Sequence, residues 1–558
     1  MTLHAQSAAL PSQTQVLVVG AGPVGLALAL DLTRRGIACV LIDKSDGIIR
    51  YSKMGAVAVR SMEYCRQWGI ADQVRNCGFP ADFELGQVFC TSLTGHLIGK
   101  SAPTSDGPEA ALASPELKTR CPQLWFDPIL QNAVRSLQRT TLQYDCELLS
   151  FTETASGVRA TVRTGTSSQP QIIEAQYMVG CDGAGSHVRR LLGVQMKGED
   201  VLNYSVGVYF RSSELLKLHD KGPAERYIFV GEDGNWAHLT VVDGRELWRL
   251  TVMGGDNRID METFDSQAWV DRCIGKTGAP YEITAVLPWR RSKVVAERFR
   301  VGRTFLCGDA VHVMSPNGGF GMNTGIGDAA DLGWKLQAVL EGWASPSLLD
   351  SYEAERKPIG LRNTFAAAGN YAKIATAIDW SLIDSDTEAG ARKRASVGSI
   401  LVEAARGNLD SLGISIGYRY ENSPICVSDG TPPPPDDPYD YVPTSRPGHR
   451  APHAWIGKDR STLDLFGDGF VALRFGQDAP DLTSLAQAAA SRGVPLRIHM
   501  IDDPDVARLY EKRLVLVRPD GHVAWRGDQA PADPARVIDI VRGASHVMNA
   551  QDHSANAG

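Results

Sequence analysis

The sequence predicts an α/β protein in three units: a mostly parallel sheet, an antiparallel sheet inserted into it, and a smaller α/β domain at the end. Three observations carry that reading. An apolar, β-branched run, Val16 to Val19, opens onto the turn Gly20-Ala21-Gly22-Pro23-Val24-Gly25. Far down the chain a second apolar run, Arg303 to Cys307, opens onto Gly308-Asp309 and the glycine-rich stretch Pro316 to Asn323. Between them, from about 203 to 287, apolar and polar residues alternate, with turn signals at 232–235 and 243–244.

Composition limits what such a chain can be. At 558 residues it is too long for one small core, and two or three domains are expected. Hydrophobic and charged contents of 43% and 22% are those of a soluble globular protein. A net charge of −7 without a basic run argues against nucleic-acid binding. The N-terminus lacks the basic-then-apolar layout of a signal peptide. The longest apolar stretch, Val16 to Leu30, contains Gly20, Gly22, Pro23 and Gly25 and falls short of a membrane span. Ten cysteines without a CxxC or a paired Cys/His spacing indicate neither a metal site nor a redox dithiol. They fit buried thiols of a reducing compartment, so a cytoplasmic enzyme is expected.

The first element is the most informative. After the turn, Leu26 to Arg35 reads as a helix stopped by Gly36, and Ile37 to Ile42 as a second strand ending at Asp43-Lys44. Strand, GxGxxG, helix, strand and acid together form the dinucleotide-binding fingerprint. Gly20 permits the tight turn, Gly22 lets a pyrophosphate near the backbone, and Gly25 lets helix and strand pack closely. Asp43 would bond the ribose hydroxyls of an adenosine half. No second GxGxxG follows, so a second nucleotide would bind only transiently.

Arg60 opens a helix running to Trp68, and Gln123 opens another running to Leu137; both are polar residues at helix starts, read either as ligand contacts or as simple caps. Tyr177 to Gly180 is a short strand leading into a further acid-glycine turn, Asp182-Gly183. In the alternating region the strands are Arg226–Val230, Trp236–Val241 and Leu247–Met253, and Tyr209, Trp236, His238, Thr240 and Arg249 could line a substrate chamber. Gly308-Asp309 is either an ordinary loop or the turn that holds a ribityl chain. From Asn323 to Leu340 a helix is expected, with Ile326, Ala329, Ala330, Gly333, Trp334 and Leu336 on one face. Its N-terminus would present a partial positive charge to an anionic ring, and reduced flavin is such a ligand.

Helical sequence continues to about Leu412, a strand is expected over 417–427, and the Pro- and Asp-rich 431–452 reads as an extended linker. The last unit reads strand (Phe470–Phe475), helix, strand (Leu496–Ile501), helix, strand (Leu514–Arg518), strand (Val523–Arg526), helix. That is thioredoxin-like order in a segment with no cysteine, so no dithiol chemistry is expected there and its removal after about Pro447 should spare a cofactor site. The unit boundaries expected are 1–185, 186–290, 291–412, 413–452 and 453–545.

The three turns Gly20–Gly25, Asp182-Gly183 and Gly308-Asp309 with Pro316 to Asn323 resemble those of the single-component FAD-dependent aromatic hydroxylases. The chain most resembles the phenol and chlorophenol hydroxylase-like members that carry a C-terminal thioredoxin-like domain. The resemblance implies FAD as cofactor, NADPH or NADH as co-substrate, and a small phenolic substrate hydroxylated by O2 through a flavin hydroperoxide, ortho to an existing hydroxyl. It implies that Gly20, Gly22, Pro23, Gly25, Asp43 and Lys44 hold the adenosine diphosphate end, and that Arg60, Gln123 and Asp182 touch the cofactor. Gly308 and Asp309 would hold the ribityl chain, with Pro316, Gly319, Gly321, Met322 and Asn323 at the flavin ring. A homodimer is also expected. The phenol hydroxylase branch has an aspartate just before the residue matching Arg60, but Ser52 to Val59 contains no acid. His238 and Tyr209 are the candidates for proton handling in its place. A flavin oxidase of the same fold, making peroxide without hydroxylation, is the alternative.

Overall fold

Strand Gln13–Val19 is apolar on both faces and takes the central place in an eight-stranded sheet, with Val16, Leu17 and Val18 fully buried. The computed structural model describes residues 10–101, 108–165, 169–374, 378–409 and 411–544. Gln13–Val19 pairs in parallel with Cys39–Ile42 on one side and Gln171–Gly180 on the other, and Thr304–Leu306 extends the sheet in parallel beyond Gln171–Gly180. The carboxyl ends of three adjacent strands therefore carry the three glycine turns side by side, where ligands bind in open α/β sheets. Helix Pro23–Arg34 packs on helix Phe320–Leu340, which closes the same end.

The second eight-stranded sheet is built on the long pair Met196–Arg211 and Glu282–Ala296, with His312–Val313 at the edge beside Glu282–Ala296 and, on the other side, Leu247–Met253, Gly234–Val241, Arg226–Gly231, Gln87–Cys90 and Leu97–Lys100. Alternation divides its faces. Val206, Val208, Phe210, Tyr227, Leu239, Trp248 and Leu250 pack into a core under helix Ser266–Ile274. The opposite face turns Gln87, Arg226, Thr240, Arg249 and Tyr209 toward the first sheet, in register across five strands. Residues 87–100 lie within the part that sequence reading gave to the nucleotide-binding unit, yet they complete this sheet. Gln87–Cys90 pairs in parallel with Arg226–Gly231, a contact across more than a hundred residues that leaves no local signal.

In the last unit Phe470–Phe475 pairs in parallel with Leu496–Ile501 and antiparallel with Leu514–Val517, which pairs antiparallel with Val523–Gly527. Helices Thr483–Ala490, Pro504–Tyr510 and Pro534–Val541 fall in the order read from the sequence. This unit is docked, not tethered. Trp334 of helix Phe320–Leu340 stacks on Trp343 at 6.4 Å and meets Phe470 edge-on at 6.0 Å. Behind it, Arg518 donates to Glu355 at 2.5 Å and to Asp520 at 2.6 Å, and Lys335 donates to Asp331 at 2.7 Å and to Glu355 at 2.6 Å, all buried.

Three expectations need correction. Helix Phe320–Leu340 has no single apolar face: residues 324–338 are buried all round, because the first sheet's helices press one side and the last unit the other. Residues 417–427 form no strand. Tyr418 and Tyr420 pack on His522, with ring centroids 5.4 and 4.3 Å away, only a single bridge joins Arg419 to His449, and turns follow, with Asn422 left-handed at φ +55°. The proline-rich 431–452 is irregular but not a free linker, since Ser445, Arg450 and Ala451 are buried. Backbone hydrogen bonds tie its end to the last unit, from Gly448 N to Val523 O at 2.8 Å and from Ala451 N to Gly521 O at 2.9 Å.

Candidate active site

The three turns, helix Phe320–Leu340 and the polar face of the second sheet enclose one cavity of about 1040 Å³. At its nucleotide end Gly20 has φ +105°, and a Cβ there would lie 2.4 Å from the Cys181 carbonyl oxygen. A Cβ on Gly25 would meet the Gly20 carbonyl oxygen at 1.9 Å, so Gly25 serves helix–turn packing and does not line the cavity. Gly22 caps helix Pro23–Arg34 and faces open space, so the helix N-terminus is clear for an anion. Asp43 lines the wall, where it accepts hydrogen bonds from Ala21 N and Ser45 N, both at 2.7 Å, and Lys44 stands beside it. Asp182 caps its own turn, accepting from His187 N at 2.6 Å, Val188 N at 3.1 Å and Ser186 Oγ. It shapes the wall through that turn, which leaves Gly183 and Gly185 open.

At the other end Asp309 projects into the cavity with no protein hydrogen bond among the described residues. Burial raises its pKa, against the pull of His312 and Lys53. Pro316, Gly319, Gly321, Met322 and Asn323 line the cavity around the start of helix Phe320–Leu340, whose cap Gly319 is left-handed at φ +70°. Asn323 is already engaged: its Oδ1 accepts from Ala58 N at 2.9 Å and its Nδ2 donates to Gly319 O at 2.8 Å. It ties the covering segment to the helix.

Gly308 lies behind the wall, its N–H on Asp328 Oδ2 at 3.2 Å. Asp328 also binds His312 Nε2 and Arg356 Nε, each at 2.7 Å. Burial opposes ionisation of Asp328, but Arg356 and His312 outweigh it and hold the carboxyl below its usual range. This buried cluster fixes the Gly308-Asp309 turn, and sequence reading missed it.

Arg60 lines the cavity but its guanidinium is engaged elsewhere, with Nη1 on Glu63 at 2.6 Å and Nη2 on the Asp520 carbonyl at 2.6 Å. It joins the wall to the last unit. Gln123 also lines the wall, accepting from Lys53 N at 3.2 Å and donating to Asp127 at 3.0 Å.

The chamber over the second sheet is cationic. Arg226, Thr240, Arg249 and Tyr209 stand in one row, with His238 and Thr251 in the next. Arg249 Nη1 donates to the carbonyls of Ser52 and Lys53 at 3.3 and 3.2 Å, and Tyr209 Oη donates to Ser52 O at 3.4 Å. Arg120 binds Glu225 at 2.7 Å and Val241 O at 2.5 Å. No hydrogen bond engages the His238 ring among the described residues; burial, then Arg226, Arg291 and Arg249, push its pKa well below 6.5, so it is neutral at pH 7. Trp236 does not line the chamber. A bulge between Ala237 and Asn235 turns it to the other side, where it stacks on Phe229 at 5.1 Å. Sequence reading found Tyr209, His238, Thr240 and Arg249 by alternation; it missed Arg120, Glu225, Arg226 and Arg291, although Arg226 begins a strand it had identified.

These residues fit FAD. Glycines 22, 183, 185 and 319 open onto the cavity, two helix N-termini face it, and Asp309 is an unengaged acceptor within it. Comparisons with known proteins agree. The sequence profile of the FAD binding domain matches residues 13–367, and that of the aromatic-ring hydroxylase C-terminal domain matches residues 444–544. The chain is 30% identical to 2,4-dichlorophenol 6-monooxygenase of Delftia acidovorans, over 95% of this chain and 98% of that one. It is 31% identical to tetracenomycin A2 monooxygenase-dioxygenase of Streptomyces glaucescens, over 94% and 95% of the two chains. Among solved structures, the rebeccamycin biosynthetic enzyme RebC with reduced flavin is 38% identical with a TM-score of 0.87, covering 96% of this chain and all of that one. Aklavinone-11 hydroxylase with FAD and aklavinone is 29% identical with a TM-score of 0.81, over 95% and 98% of the two chains.

Proposed function

The chain belongs to the FAD-dependent aromatic-ring hydroxylases and is a flavoprotein monooxygenase of aromatic substrates; we propose that it hydroxylates a phenolic ring, ortho to an existing hydroxyl, using NADPH or NADH. The observation that carries this reading is the continuity of the cavity. One space runs from the glycine turns and Asp309 to the cationic face of the second sheet, so a flavin and a ring would share it. Bound FAD supplies the redox chemistry, passing electrons from the nicotinamide to O2 so that one oxygen atom enters the ring and the other leaves as water.

The chain's own residues supply placement and charge. Gly20, Gly22, Pro23, Asp43 and Lys44 hold the adenosine diphosphate end, and Asp309 accepts from the ribityl hydroxyls. The N-terminus of helix Phe320–Leu340 offers N–H groups to the ring where negative charge develops. In the chamber Arg226 and Arg249 favour a phenol as phenolate, the form whose ortho and para carbons are electron-rich. His238, kept neutral by burial and then by Arg226, Arg291 and Arg249, has a lone pair to receive the phenolic proton. Tyr209 holds the Ser52 carbonyl and with it the covering segment. The absence of a second nucleotide fingerprint supports a nicotinamide that binds transiently. The test is a screen of phenols for stimulated NAD(P)H oxidation, followed by labelled O2. Stimulated oxidation with one labelled atom in the product supports the reading; stimulated oxidation with unlabelled product and stoichiometric peroxide replaces it with an oxidase.

A further inference from the structure

Eight of the ten cysteines are buried, and burial raises the thiol pKa of Cys426, one of the other two. Cys77 is different. It follows helix Ala71–Arg75, is partly exposed, and lines a surface cavity of about 550 Å³ together with Trp125 and Ile129 of helix Gln123–Arg135. As a thiol it donates to the Arg120 carbonyl at 3.5 Å, and its side chain hydrogen-bonds with that of Cys121, the next residue along. No CxxC spacing announces this pair. Helix Ala71–Arg75 packs on the short strand Thr119–Arg120, and that packing brings two distant cysteines together. The two thiols are unequal. Cys121 is fully buried, and its bond to Cys77 and its burial both hold its proton. For Cys77 the same bond acts in the other direction. With the Phe79 N–H and the Arg120 charge it outweighs partial burial and brings the pKa from 9.0 down to about 6. At neutral pH Cys77 is therefore largely a thiolate, with a protonated thiol against it and open space in front.

An accessible thiolate beside a second thiol is equipped to reduce a hydroperoxide. We propose that Cys77 and Cys121 are a peroxide-reactive pair, Cys77 attacking and Cys121 resolving, which closes to a disulfide and disturbs the chamber. The Cys77 sulfur attacks one oxygen of hydrogen peroxide. An S–O bond forms, the O–O bond breaks, and the departing hydroxide takes a proton to become water. Sulfur has then lost two electrons and stands as a sulfenic acid. Cys121 attacks that sulfur in turn; the S–S bond forms, the S–O bond breaks, and the leaving hydroxide takes the Cys121 proton as a second water. Two thiols and one peroxide give one disulfide and two waters. The oxidant is hydrogen peroxide, which a flavin site releases when it reduces O2 without oxygen transfer, under the hydroxylase and the oxidase readings alike. The consequence for the chamber follows from the chain. Cys121 is bonded to Arg120, whose guanidinium binds Glu225 and the Val241 carbonyl. Cys77 is close in sequence to Phe79, whose ring lies 5.5 Å from that guanidinium. Closing the disulfide pulls on both supports of Arg120.

The test treats reduced, desalted, FAD-loaded enzyme with hydrogen peroxide, quenches with catalase and digests the protein without reductant. Tandem mass spectrometry should place a link between Cys77 and Cys121, lighter by two hydrogens than the separate peptides, and dithiothreitol should break it. Cys77→Ser should remove the link. Cys121→Ser should leave Cys77 as a sulfenic acid that dimedone labels in preference to Cys426 and the buried cysteines. The linked enzyme should oxidise NAD(P)H several-fold more slowly than the reduced enzyme, a loss that dithiothreitol reverses and that Cys77→Ser escapes. Absence of the link from peroxide-treated wild-type enzyme overturns the proposal, and that measurement needs no variant to fold. Dimedone labelling that favours another cysteine overturns it as well. A fully linked enzyme that oxidises NAD(P)H at the reduced enzyme's rate overturns the effect on the chamber. The thiol pair and the hydroxylase reading fail separately. Because the peroxide is added, the link forms even where no phenol stimulates NAD(P)H oxidation, and a working hydroxylase without the link keeps its activity and loses the pair.

Discussion

Asp127 offers the clearest quantitative prediction. It is fully buried in helix Gln123–Arg135, one carboxylate oxygen accepting from the Gln123 amide at 3.0 Å and the other without a partner. Burial pushes its pKa from 3.8 up to about 7, against the smaller opposing effects of the Gln123 bond and Lys53. The folded protein therefore holds a proton that the unfolded chain has lost between pH 3.8 and 7. Stability falls as pH rises through that window and levels off above it. The whole interval, about 3.2 units at ~1.36 kcal/mol each, corresponds to about 4 kcal/mol. Roughly 2.5 kcal/mol of it falls between pH 5 and pH 8. Asp127→Asn keeps the acceptor for Gln123 and cannot ionise. Whatever packing cost the amide adds is the same at every pH, so it cancels in the pH dependence of the difference. Melting temperatures of wild-type and Asp127→Asn holoenzyme should thus diverge in the variant's favour by about 2 °C between pH 5 and pH 8, because an unfolding entropy of about 2.1 cal/mol/K per residue is large for a chain of 558 residues. Parallel curves would show that Asp127 is ionised at no unusual cost, and the burial argument would be wrong.

Three further outcomes are expected. Asp309→Ala removes the unengaged acceptor at the ribityl position and should weaken FAD retention by about 1.5–3 kcal/mol, roughly ten- to hundredfold, measured as flavin released on dilution. His238→Asn should keep FAD and lose coupling, with more peroxide per NAD(P)H oxidised in the presence of a phenol; unchanged coupling and rate across pH 6 to 9 would make His238 a packing residue. Arg518→Met leaves Glu355, Asp331 and Asp520 buried with too little positive charge and should destabilise the holoenzyme by about 3–5 kcal/mol, seen as a lowered melting temperature. A melting temperature within a degree of wild type would mean the last unit is docked only by its apolar contacts.

The sequence by itself determined the local pieces. Gly20 and Gly25 occur where a strand meets a helix, and the reason is steric: a left-handed turn and a close backbone approach admit no Cβ. Alternation placed Tyr209, His238, Thr240 and Arg249 on one face of a sheet, because successive side chains on a strand point to opposite sides. Phe470–Phe475 and Leu496–Ile501 fall where the sequence puts them, since short strands are bounded by their own turn residues. Tertiary structure decided what those pieces meet. Nothing near Arg60 announces that its guanidinium binds the Asp520 carbonyl, 460 residues away. Nothing in 87–90 announces a parallel partner at 226–229, and without that pairing the row that ends in Arg226 is incomplete. The excess charge of the chamber was equally hidden. Arginines at 120, 226 and 291 are ordinary surface residues in a linear reading, and with Arg249 they become a cationic chamber only when four distant segments bring them into one enclosed space. A residue's backbone preference is local and legible, whereas the energy of a charge depends on every group packed around it, which the folded chain alone supplies.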